Sequence, residues 1–590
     1  MIALAAVLSL GLLAAPSVPL FDAPLDSLSR GQRGVCYTIF EGDQIEPFEF
    51  EIKGVMHDYL GPQRDVVLVR LLGDKPNFTG VVAGMSGSPC WVDGKLLGAL
   101  AYAFAAFAKE PIAGITPIGS MLDVLALPEV RPPARLLAAA HDEAEWAAIR
   151  TALPPAPPPP DDDLRARPIA TPLMLGGVPP AVRRHYEPWL RSLGFMPLAA
   201  GQAAAASATG TAVPGRLRPG GAIAAVLIQG DVDIAATGTV TYVDGDRVLG
   251  FGHPFLGTGA VSFPMADALI LNTMVSAQRS FKMSVTGPPL GEITQDRLTA
   301  IAGRMGPVPR MLSVRGRVRA AGSDSRFHFE VARDLGMTPR LVAMGMASAL
   351  GSRLEVSDRG TVRMTGSLEV AGLGRIPWRS VYAEVNDSSL LVSPGIDLAR
   401  QLSVLWNAPF GPPPDIQIEL DMEHAPEPVV ERIEALSVDR PRVRVGQQLH
   451  LAVRLRRLDG PVAVAHFTVE VPQAWAGQRL TWYASNNEAA DRLVQDTYGQ
   501  PQPQSRADLV RLLRQRRGDG YIYLLATRAG ASLQMGAQIW AFLPGSVAAS
   551  LAGAPGQRRQ GELGLAWEAS QARPGTVDGQ AQVHVDVLPK

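Results

Sequence analysis

The sequence predicts a mainly β protein that contains more than one domain. The chain has 590 residues, more than the roughly 250–300 residues at which a single core stops growing. It contains 59 Gly and 50 Pro, which favour turns and short strands over long helical bundles. Apolar residues make up 47% of the chain and charged residues 19%, so most of it can bury a core. The net charge of −1 argues against a nucleic-acid-binding protein, which usually presents a basic field.

The first 20 residues predict a signal peptide or an N-terminal anchor. Residues 2–20 are apolar, small or proline, and no charge precedes Asp22. Leu8–Leu13 fits the hydrophobic region of a signal peptide, and small residues suited to a cleavage site follow it. The usual positive charge before such a region is missing, and Pro16 and Pro19 disfavour a full membrane span. We therefore expect an exported protein that is periplasmic, secreted or anchored to the membrane at its N-terminus.

Residues 21–127 form the first predicted folded block. Its short strand-like runs are separated by turn signals such as Asp93-Gly94, and Gly119–Leu127 predicts a closing helix. Such a pattern is typical of an all-β barrel or sandwich. The strand-like runs are Val35–Phe40, Phe48–Val55, Val66–Leu72 and Lys95–Ala103.

Residues 128–169 differ in composition and predict a linker. Leu136–Leu153 has the apolar spacing of a helix. Pro154–Asp163 is a proline run followed by three acidic residues, which is typical of a stiff, solvated spacer.

Residues 170–374 form a second block that is rich in strand signals. The small residues of Gly201–Gly210 predict a loop, Gly322 marks the turn of a hairpin, and Leu341–Leu350 predicts a helix. The predicted strands are Ala222–Gly230, Ala236–Val243, Arg247–Phe251, Met311–Arg319 and Arg326–Val331.

Residues 375–590 form a third block that opens with a predicted helix at Ile396–Trp406. Alternating runs such as Leu449–Leu455 and Ala463–Val471 predict an immunoglobulin-like β-sandwich. Ser505–Arg517 has the pattern of an amphipathic helix. No catalytic constellation is evident here, so we expect this block to contact partners, such as other envelope proteins.

The two cysteines, Cys36 and Cys90, exclude a disulfide-scaffolded miniprotein and a four-cysteine zinc site. They can form one disulfide in an oxidising compartment or remain two separate buried thiols.

The run GMSGSP at residues 84–89 has the pattern of a nucleophile turn. Ser86 would lie on a tight loop between two strands, where Gly87 permits a strained backbone and close approach of substrate. The N–H groups of Gly84 and Ser86 could form an oxyanion hole. The alternative is a Gly/Ser-rich β-turn without chemistry.

The run GFGHPF at residues 250–255 places His253 on a loop at the end of a predicted strand. Flanking Gly and Pro hold such a loop where the ring can face a cleft. The alternative is a structural histidine whose hydrogen bonds are satisfied. The other eight His residues have no comparable flanking residues.

Together these motifs resemble a known family of serine peptidases. The run TGVVAGMSGSP at residues 79–89, followed by DGKLLGA at residues 93–99, resembles the peptidase domain of stage-IV sporulation protein B. The segment from GTVT at residues 238–241 to His253 resembles the histidine region of that family. The runs GEI at residues 291–293 and IAG at residues 301–303 extend this resemblance.

The resemblance implies a chymotrypsin-like double β-barrel that is split into two halves. Residues 21–127 would be the serine-bearing half and residues 170–374 the histidine-bearing half. Ser86 would be the nucleophile and His253 the general base. In the sporulation peptidase the histidine half comes first, so this chain would have the two halves in rearranged order, which a triad tolerates because geometry defines it.

The catalytic acid is open between two aspartates. The family places its aspartate shortly before the serine motif, where this chain has only Asp74. Asp296 follows His253 by 43 residues, close to the separation of about 45 in chymotrypsin-like barrels. We favour Asp296; a salt bridge of Asp296 with an arginine, or a dyad without a dedicated acid, is the alternative.

The sequence therefore predicts an exported serine endopeptidase that acts on protein or peptide substrates through an acyl-enzyme and needs no metal or cofactor. The alternative from another class is a catalytically silent envelope binding or assembly protein that keeps the peptidase fold.

Overall fold

The computed structural model describes residues 18–104, 109–128, 167–201, 217–320, 322–354, 359–384, 388–458, 460–535, 538–544, 546–547, 550 and 558–589. Residues 1–17 of the predicted signal peptide, the predicted helix Leu136–Leu153, the spacer Pro154–Asp163 and most of Gly201–Gly210 lie outside these ranges. No helix within the described ranges is long and apolar enough to cross a membrane.

Six antiparallel strands close into a first barrel, here called barrel 1. The strands pair in the order β1-β2-β3-β6-β5-β4, and β4 pairs with β1 to close the ring. Alternation along β2 explains the closure, since Phe48, Phe50 and Ile52 face the core while Glu49 and Glu51 face outward. The strands are β1 Arg33–Ile39, β2 Ile45–Met56, β3 Val66–Leu72, β4 Pro89–Val92, β5 Lys95–Ala103 and β6 Ile112–Pro117.

Two short helices belong to barrel 1. Helix α1, Asp74–Thr79, follows β3, and helix α2, Ile118–Leu125, follows β6. Helix α2 is the predicted closing helix, and it buries Ile118, Met121 and Val124.

A disulfide joins Cys36 of β1 to Cys90 of β4. The two residues are directly opposite each other in the pair of strands that closes barrel 1. Of the two alternatives left open by the sequence, the structure therefore has the bonded one.

A connecting segment follows barrel 1. Strand β7, Arg167–Pro168, pairs with β5, and β8, Thr171–Gly176, starts the next sheet. Helix α3, Pro180–Ser192, and strand β9, Phe195–Ala200, follow, and β9 lies parallel to β8.

A second antiparallel ring, barrel 2, contains six further strands in the order β10-β13-β14-β15-β12-β11, and β11 pairs with β10 to close it. Its core includes Ile223, Phe263, Met265 and Ile301. The strands are β10 Ala222–Gly230, β11 Asp233–Asp244, β12 Arg247–Gly250, β13 Gly259–Met274, β14 Phe281–Arg297 and β15 Ala300–Met305. The predicted mainly β class with a barrel peptidase fold is confirmed.

Barrel 2 continues into a wider sheet that two buried helices cover. The helices are α4, Thr338–Gly351, which contains the predicted helix Leu341–Leu350, and α5, Ser393–Trp406. Added strands are β16 Leu312–Ala320, β17 Ser323–Val331, β18 Gly360–Val370, β19 Gly374–Glu384 and β20 Ile416–Ala425. The predicted boundary at residues 374/375 falls inside the β18–β19 hairpin, so residues 375–425 continue the second block.

The C-terminal part, from β21 onward, is a sandwich of two sheets. Leu451 and Val453 of one sheet share a core with Trp482 and Leu524 of the other. Helix α6, Asn487–Tyr498, packs against β26 and β28, whereas helix α7, Arg506–Arg514, buries Leu509 and Val510 in the core of the wider sheet. The strands are β21 Val430–Val438, β22 Arg442–Arg444, β23 Gln448–Arg457, β24 Val462–Glu470, β25 Arg479–Ser485, β26 Tyr521–Met535, β27 Gln538–Trp540, β28 Arg558–Ala572, β29 Thr576–Asp578 and β30 Gln580–Leu588.

We predict that removing the disulfide with Cys36→Ala and Cys90→Ala lowers the free energy of unfolding by about 2–4 kcal/mol. The bond closes a long loop, since 54 positions separate the cysteines, and cross-linking such a loop restricts the unfolded chain. Urea unfolding of the double variant and the oxidised wild type measures the difference. Equal stabilities would contradict a structural role for the bond.

Candidate active site

The run GMSGSP forms a compact turn between α1 and β4, here called the serine turn, residues 84–89. The carbonyl of Met85 accepts hydrogen bonds from the amide of Ser88 at 2.9 Å and from its hydroxyl at 2.6 Å. The amide of Met85 donates to the Val82 carbonyl at 3.0 Å. These bonds fold the chain sharply at Ser86.

Glycine is required at two positions of this turn. Gly84 has φ +95° and Gly87 has φ +96°, in the region that L side chains rarely adopt. A Cβ on Gly87 would also collide with the carbonyl of Thr239 on β11. Close approach to barrel 2 thus explains Gly87 better than a need for substrate access.

The chain after β12 forms the second part of the site, here called the histidine loop, residues 251–255. Phe251 has φ +67°, an unusual conformation for a bulky residue and one that is concentrated at functional sites. The Gly252 carbonyl accepts a hydrogen bond from Thr116 Oγ1 on β6 at 2.6 Å. A Cβ on Gly252 would lie 2.9 Å from the Cβ of Ala99, so this loop of barrel 2 rests directly on barrel 1.

Two threonines of β11 join the serine turn to the histidine loop. The Thr239 amide donates to the Ser86 carbonyl at 2.8 Å, and the Thr239 carbonyl accepts from the Phe251 amide at 3.3 Å. Thr239 Oγ1 donates to the Gly84 carbonyl at 3.0 Å, and Thr241 Oγ1 donates to the Gly87 carbonyl at 2.7 Å. Ser86 and His253 therefore lie on neighbouring backbone segments, although 167 positions separate them in sequence.

The sequence analysis quoted these threonines for the resemblance and gave them no role. The sequence pattern that could have revealed their role is a threonine at every second position of β11. Thr237, Thr239 and Thr241 are all fully buried there. Buried hydroxyls at every second position of an apolar strand indicate a polar contact with another element.

The side chains of Ser86 and His253 are buried, with exposed fractions of 0% and 1%. Within the described residues, neither Ser86 Oγ nor His253 Nε2 has a hydrogen-bond partner. Buried polar atoms are normally paired, so two unpaired ones on adjacent segments need an explanation. Hydrogen bonds between catalytic groups are often long in the absence of substrate and tighten when it binds.

His253 is held in one tautomer. Its Nδ1 lies 2.7 Å from the carbonyl of Pro254, and a carbonyl can only accept, so we assign the proton to Nδ1. Nε2 then carries the lone pair that a general base needs. Burial lowers the pKa of His253 to about 4, while the carbonyls of Pro254 and Ile169 oppose this effect. The ring is therefore neutral at pH 7.

The serine turn also carries two free amides. The N–H groups of Met85, Gly87 and Ser88 donate to carbonyls, whereas those of Gly84 and Ser86 donate to no described residue. These are the two amides that the sequence predicts for an oxyanion hole.

Asp296 lies in barrel 2, but it does not hold the His253 ring. One oxygen of its buried carboxylate accepts from the Phe255 amide at 2.7 Å, and the other accepts from Leu256 and Gly257, both at 2.7 Å. The Thr258 amide is 3.4 Å away. Asp296 therefore orders the chain that follows His253, and the position of a triad acid at Nδ1 is filled by the Pro254 carbonyl. The spacing that favoured Asp296 brings it to the correct loop but not to the ring.

Asp74, the other candidate acid, is exposed at the first residue of α1. It lines a groove on the outside of barrel 1 together with Glu46 and Lys75, which form an ion pair. Neither Ser86 nor His253 lines this groove, so Asp74 is not placed to act on them.

Lys282 is a buried cation at this interface that the sequence analysis missed. A Cβ built on Gly84 would lie 3.2 Å from the Cδ of Lys282, so the aliphatic part of this side chain packs against the serine turn. Its Nζ donates to Thr38 Oγ1 on β1 at 2.6 Å. Burial lowers the pKa of Lys282 to about 7. The backbone of Lys282 also donates to the Ala83 carbonyl at 3.0 Å, which fastens the approach to the serine turn. The sequence feature that could have drawn attention to Lys282 is the rarity of lysine in this chain.

Comparison with known proteins identifies part of the chain. Residues 23–116 match the family described as SpoIVB peptidase S55. Barrel 1 is therefore similar to the SpoIVB peptidase family. This confirms the predicted resemblance for the half that carries Ser86 and supports a serine peptidase. The matched range does not include His253. No curated protein and no solved structure matches the chain.

Among the residues that the structure describes, no group of three or more His, Cys, Asp or Glu side chains is arranged to hold a metal ion.

We predict that protonation of His253 destabilises the fold in acid. Between pH 6.5 and pH 4 the unfolded chain binds a proton at His253 and the folded chain does not, so the free energy of unfolding falls as the pH falls. The expected loss is about 3 kcal/mol at pH 4. Urea unfolding at both pH values measures it. His253→Asn, which can still donate to the Pro254 carbonyl, should lose correspondingly less over this range, and equal losses would contradict the assignment.

Proposed function

We propose that the protein is a serine endopeptidase in which Ser86 and His253 form the catalytic pair. One observation carries the proposal: the unpaired Ser86 Oγ and the unpaired His253 Nε2 are buried on two segments that Thr239 joins. A structural serine or histidine at such a place would have its hydrogen bonds satisfied. The family match of barrel 1 supports the same chemistry.

The reaction follows from the donors and acceptors present. His253 Nε2 takes the hydroxyl proton of Ser86 while Oγ bonds to the carbonyl carbon of a peptide. The carbonyl oxygen becomes an oxyanion, to which the free amides of Gly84 and Ser86 donate. The C–N bond then breaks, and the proton on His253 goes to the departing amine.

Water completes the cycle at the same groups. It loses a proton to His253 Nε2 as its oxygen bonds to the acyl carbon. The ester bond to Ser86 then breaks, and the proton returns to Oγ as the acid product leaves. The Pro254 carbonyl keeps the ring in the required tautomer, so the pair works as a dyad, with Asp296 as a positioning residue for the loop.

We also propose that the protein acts outside the cytoplasm. The Cys36–Cys90 disulfide supports this, because such bonds persist mainly in oxidising compartments. The C-terminal sandwich, which holds neither Ser86 nor His253, is the part that we expect to contact envelope partners.

A silent binding protein remains the second candidate function. The observation that favours it is the burial of both side chains, since no substrate can reach Ser86 in this conformation. This candidate predicts that no condition makes Ser86 reactive.

We predict that Ser86→Ala abolishes both peptide hydrolysis and labelling by a fluorophosphonate probe. The free energy of unfolding should change by less than about 1 kcal/mol, because Ser86 Oγ makes no hydrogen bond to lose. Ser88→Ala is the matched control on the same turn. It removes the bond to the Met85 carbonyl, so it should cost about 1 kcal/mol in stability and leave Ser86 reactive. Activity that survives Ser86→Ala would exclude Ser86 as the nucleophile.

We predict that Asp296→Asn lowers stability and activity together. An asparagine has one accepting oxygen where the carboxylate has two, so buried amides lose their partners at a cost of about 1–3 kcal/mol. A triad acid would instead lower kcat by about 10⁴ in a stable fold. Urea unfolding and kcat, measured on one preparation, separate the two roles. Asp74→Asn should be close to wild type in both.

A further inference from the structure

The buried state of the site raises the question of what covers it. Ser86 and His253 are inaccessible, although a peptidase must admit an extended chain to both. Arg167–Ile169 comes directly before β8, between barrel 1 and barrel 2 in the chain, and Ile169 lies near the His253 ring.

This segment binds barrel 1 as an added edge strand. It is antiparallel to β5, with Pro168 opposite Tyr102 and Arg167 opposite Ala103. The amide of Ile169 donates to the Ala101 carbonyl at 2.8 Å. Addition of an extended chain to a sheet edge is a common way for a protein to bind a peptide, since main-chain bonds give affinity and pockets give selectivity.

One side chain anchors the segment. Arg167 and Pro168 are exposed, whereas Ile169 has an exposed fraction of 2%. Ile169 belongs to the buried cluster of barrel 1 that contains Met85, the residue before Ser86, and Leu100 of β5. An aliphatic side chain from outside the barrel thus joins the buried core that also contains the serine turn's Met85.

The backbone of Ile169 also lies near the His253 ring. Its carbonyl is near enough to the His253 ring to act on the charge of the imidazole, although it forms no hydrogen bond with Nε2. A β5 hydrogen bond on the amide, a side chain in the barrel 1 core that contains Met85 and a carbonyl near the His253 ring are contacts expected of a peptide residue bound beside the scissile bond.

We propose that Arg167–Ile169 occupies the acyl side of the substrate groove, that the Ile169 pocket accepts an aliphatic side chain of the substrate, and that the substrate must displace this strand. The inference rests on the proposed function, because Ser86 defines which side is the acyl side. The substrate class that it names is an extended peptide with an isoleucine-like residue before the cleaved bond.

The test compares two isoleucine truncations in the full-length protein. Ile169→Ala weakens the anchor of the strand and should raise both kcat/KM for acetyl-Ala-Arg-Pro-Ile-aminomethylcoumarin and the fluorophosphonate labelling rate at least tenfold. Ile52→Ala removes the same atoms from the same buried cluster on β2, and it should leave both rates near wild type. If Ile169→Ala gives no increase, or if both variants change the rates equally, the inference is wrong.

The pocket is tested with a second substrate. On Ile169→Ala, a coumarin peptide that ends in isoleucine should be cleaved at least tenfold faster than one that ends in aspartate. Equal rates would overturn the pocket assignment. A cut of the wild-type chain after Ile169 that is absent in Ser86→Ala would support it, because only a strand bound in the substrate register is hydrolysed there.

A binding measurement separates this inference from the proposed function. In the Ser86→Ala background, fluorescein-labelled Ala-Arg-Pro-Ile-Ala-Thr amide should bind at least tenfold more tightly when Ile169→Ala is added. If Ser86 never reacts with the probe but this binding improves, the proposed function fails and the strand remains an occupant of a peptide groove. If Ser86 reacts equally in both proteins and the binding does not improve, the proposed function stands and the inference fails.

Discussion

The three hydrogen bonds of Thr239 to Ser86, Gly84 and Phe251 set the geometry on which the site depends. Thr239 lies in β11, which pairs with β8, β10 and β12 and is therefore fixed within barrel 2. The serine turn belongs to barrel 1, yet its carbonyls are bonded to a strand of the other barrel. Neither barrel alone would hold Ser86 in this position, so the proposed catalysis depends on correct docking of the two.

The interface between the barrels contains buried polar contacts beside an apolar cluster. Thr116, Thr241 and Lys282 all cross it through side-chain hydrogen bonds of 2.6–2.7 Å. Unpaired polar groups are costly in such a place, so an interface of this kind tolerates few alternative arrangements. Lys282 is the extreme case, since its buried amino group donates to the hydroxyl of Thr38. These directional hydrogen bonds fix the serine turn and the histidine loop more precisely than apolar packing would.

The closed site has consequences for both chemistry and control. Burial keeps His253 neutral, and in the proposed reaction exclusion of water would strengthen the oxyanion contacts and favour acyl transfer once a peptide is bound. If Arg167–Ile169 occupies the substrate groove as we propose, it also stops substrate from entering while Ile169 is seated. Because Arg167–Ile169 is continuous with β8, the covering strand also connects the two barrels, and the free energy of seating it contributes to their docking.

Local sequence patterns determined much of this protein. Glycines and proline prescribe the serine turn, Asp93-Gly94 closes the β4–β5 hairpin, and apolar periodicity marks helices α4 and α5, because each signal acts over a few residues. Only the tertiary structure decided the rest. It assigned Asp296 to loop amides, bonded the two cysteines, extended the second block past residue 375 and brought Ile169 to His253. These outcomes depend on contacts between residues far apart in the chain, which spacing and composition do not encode.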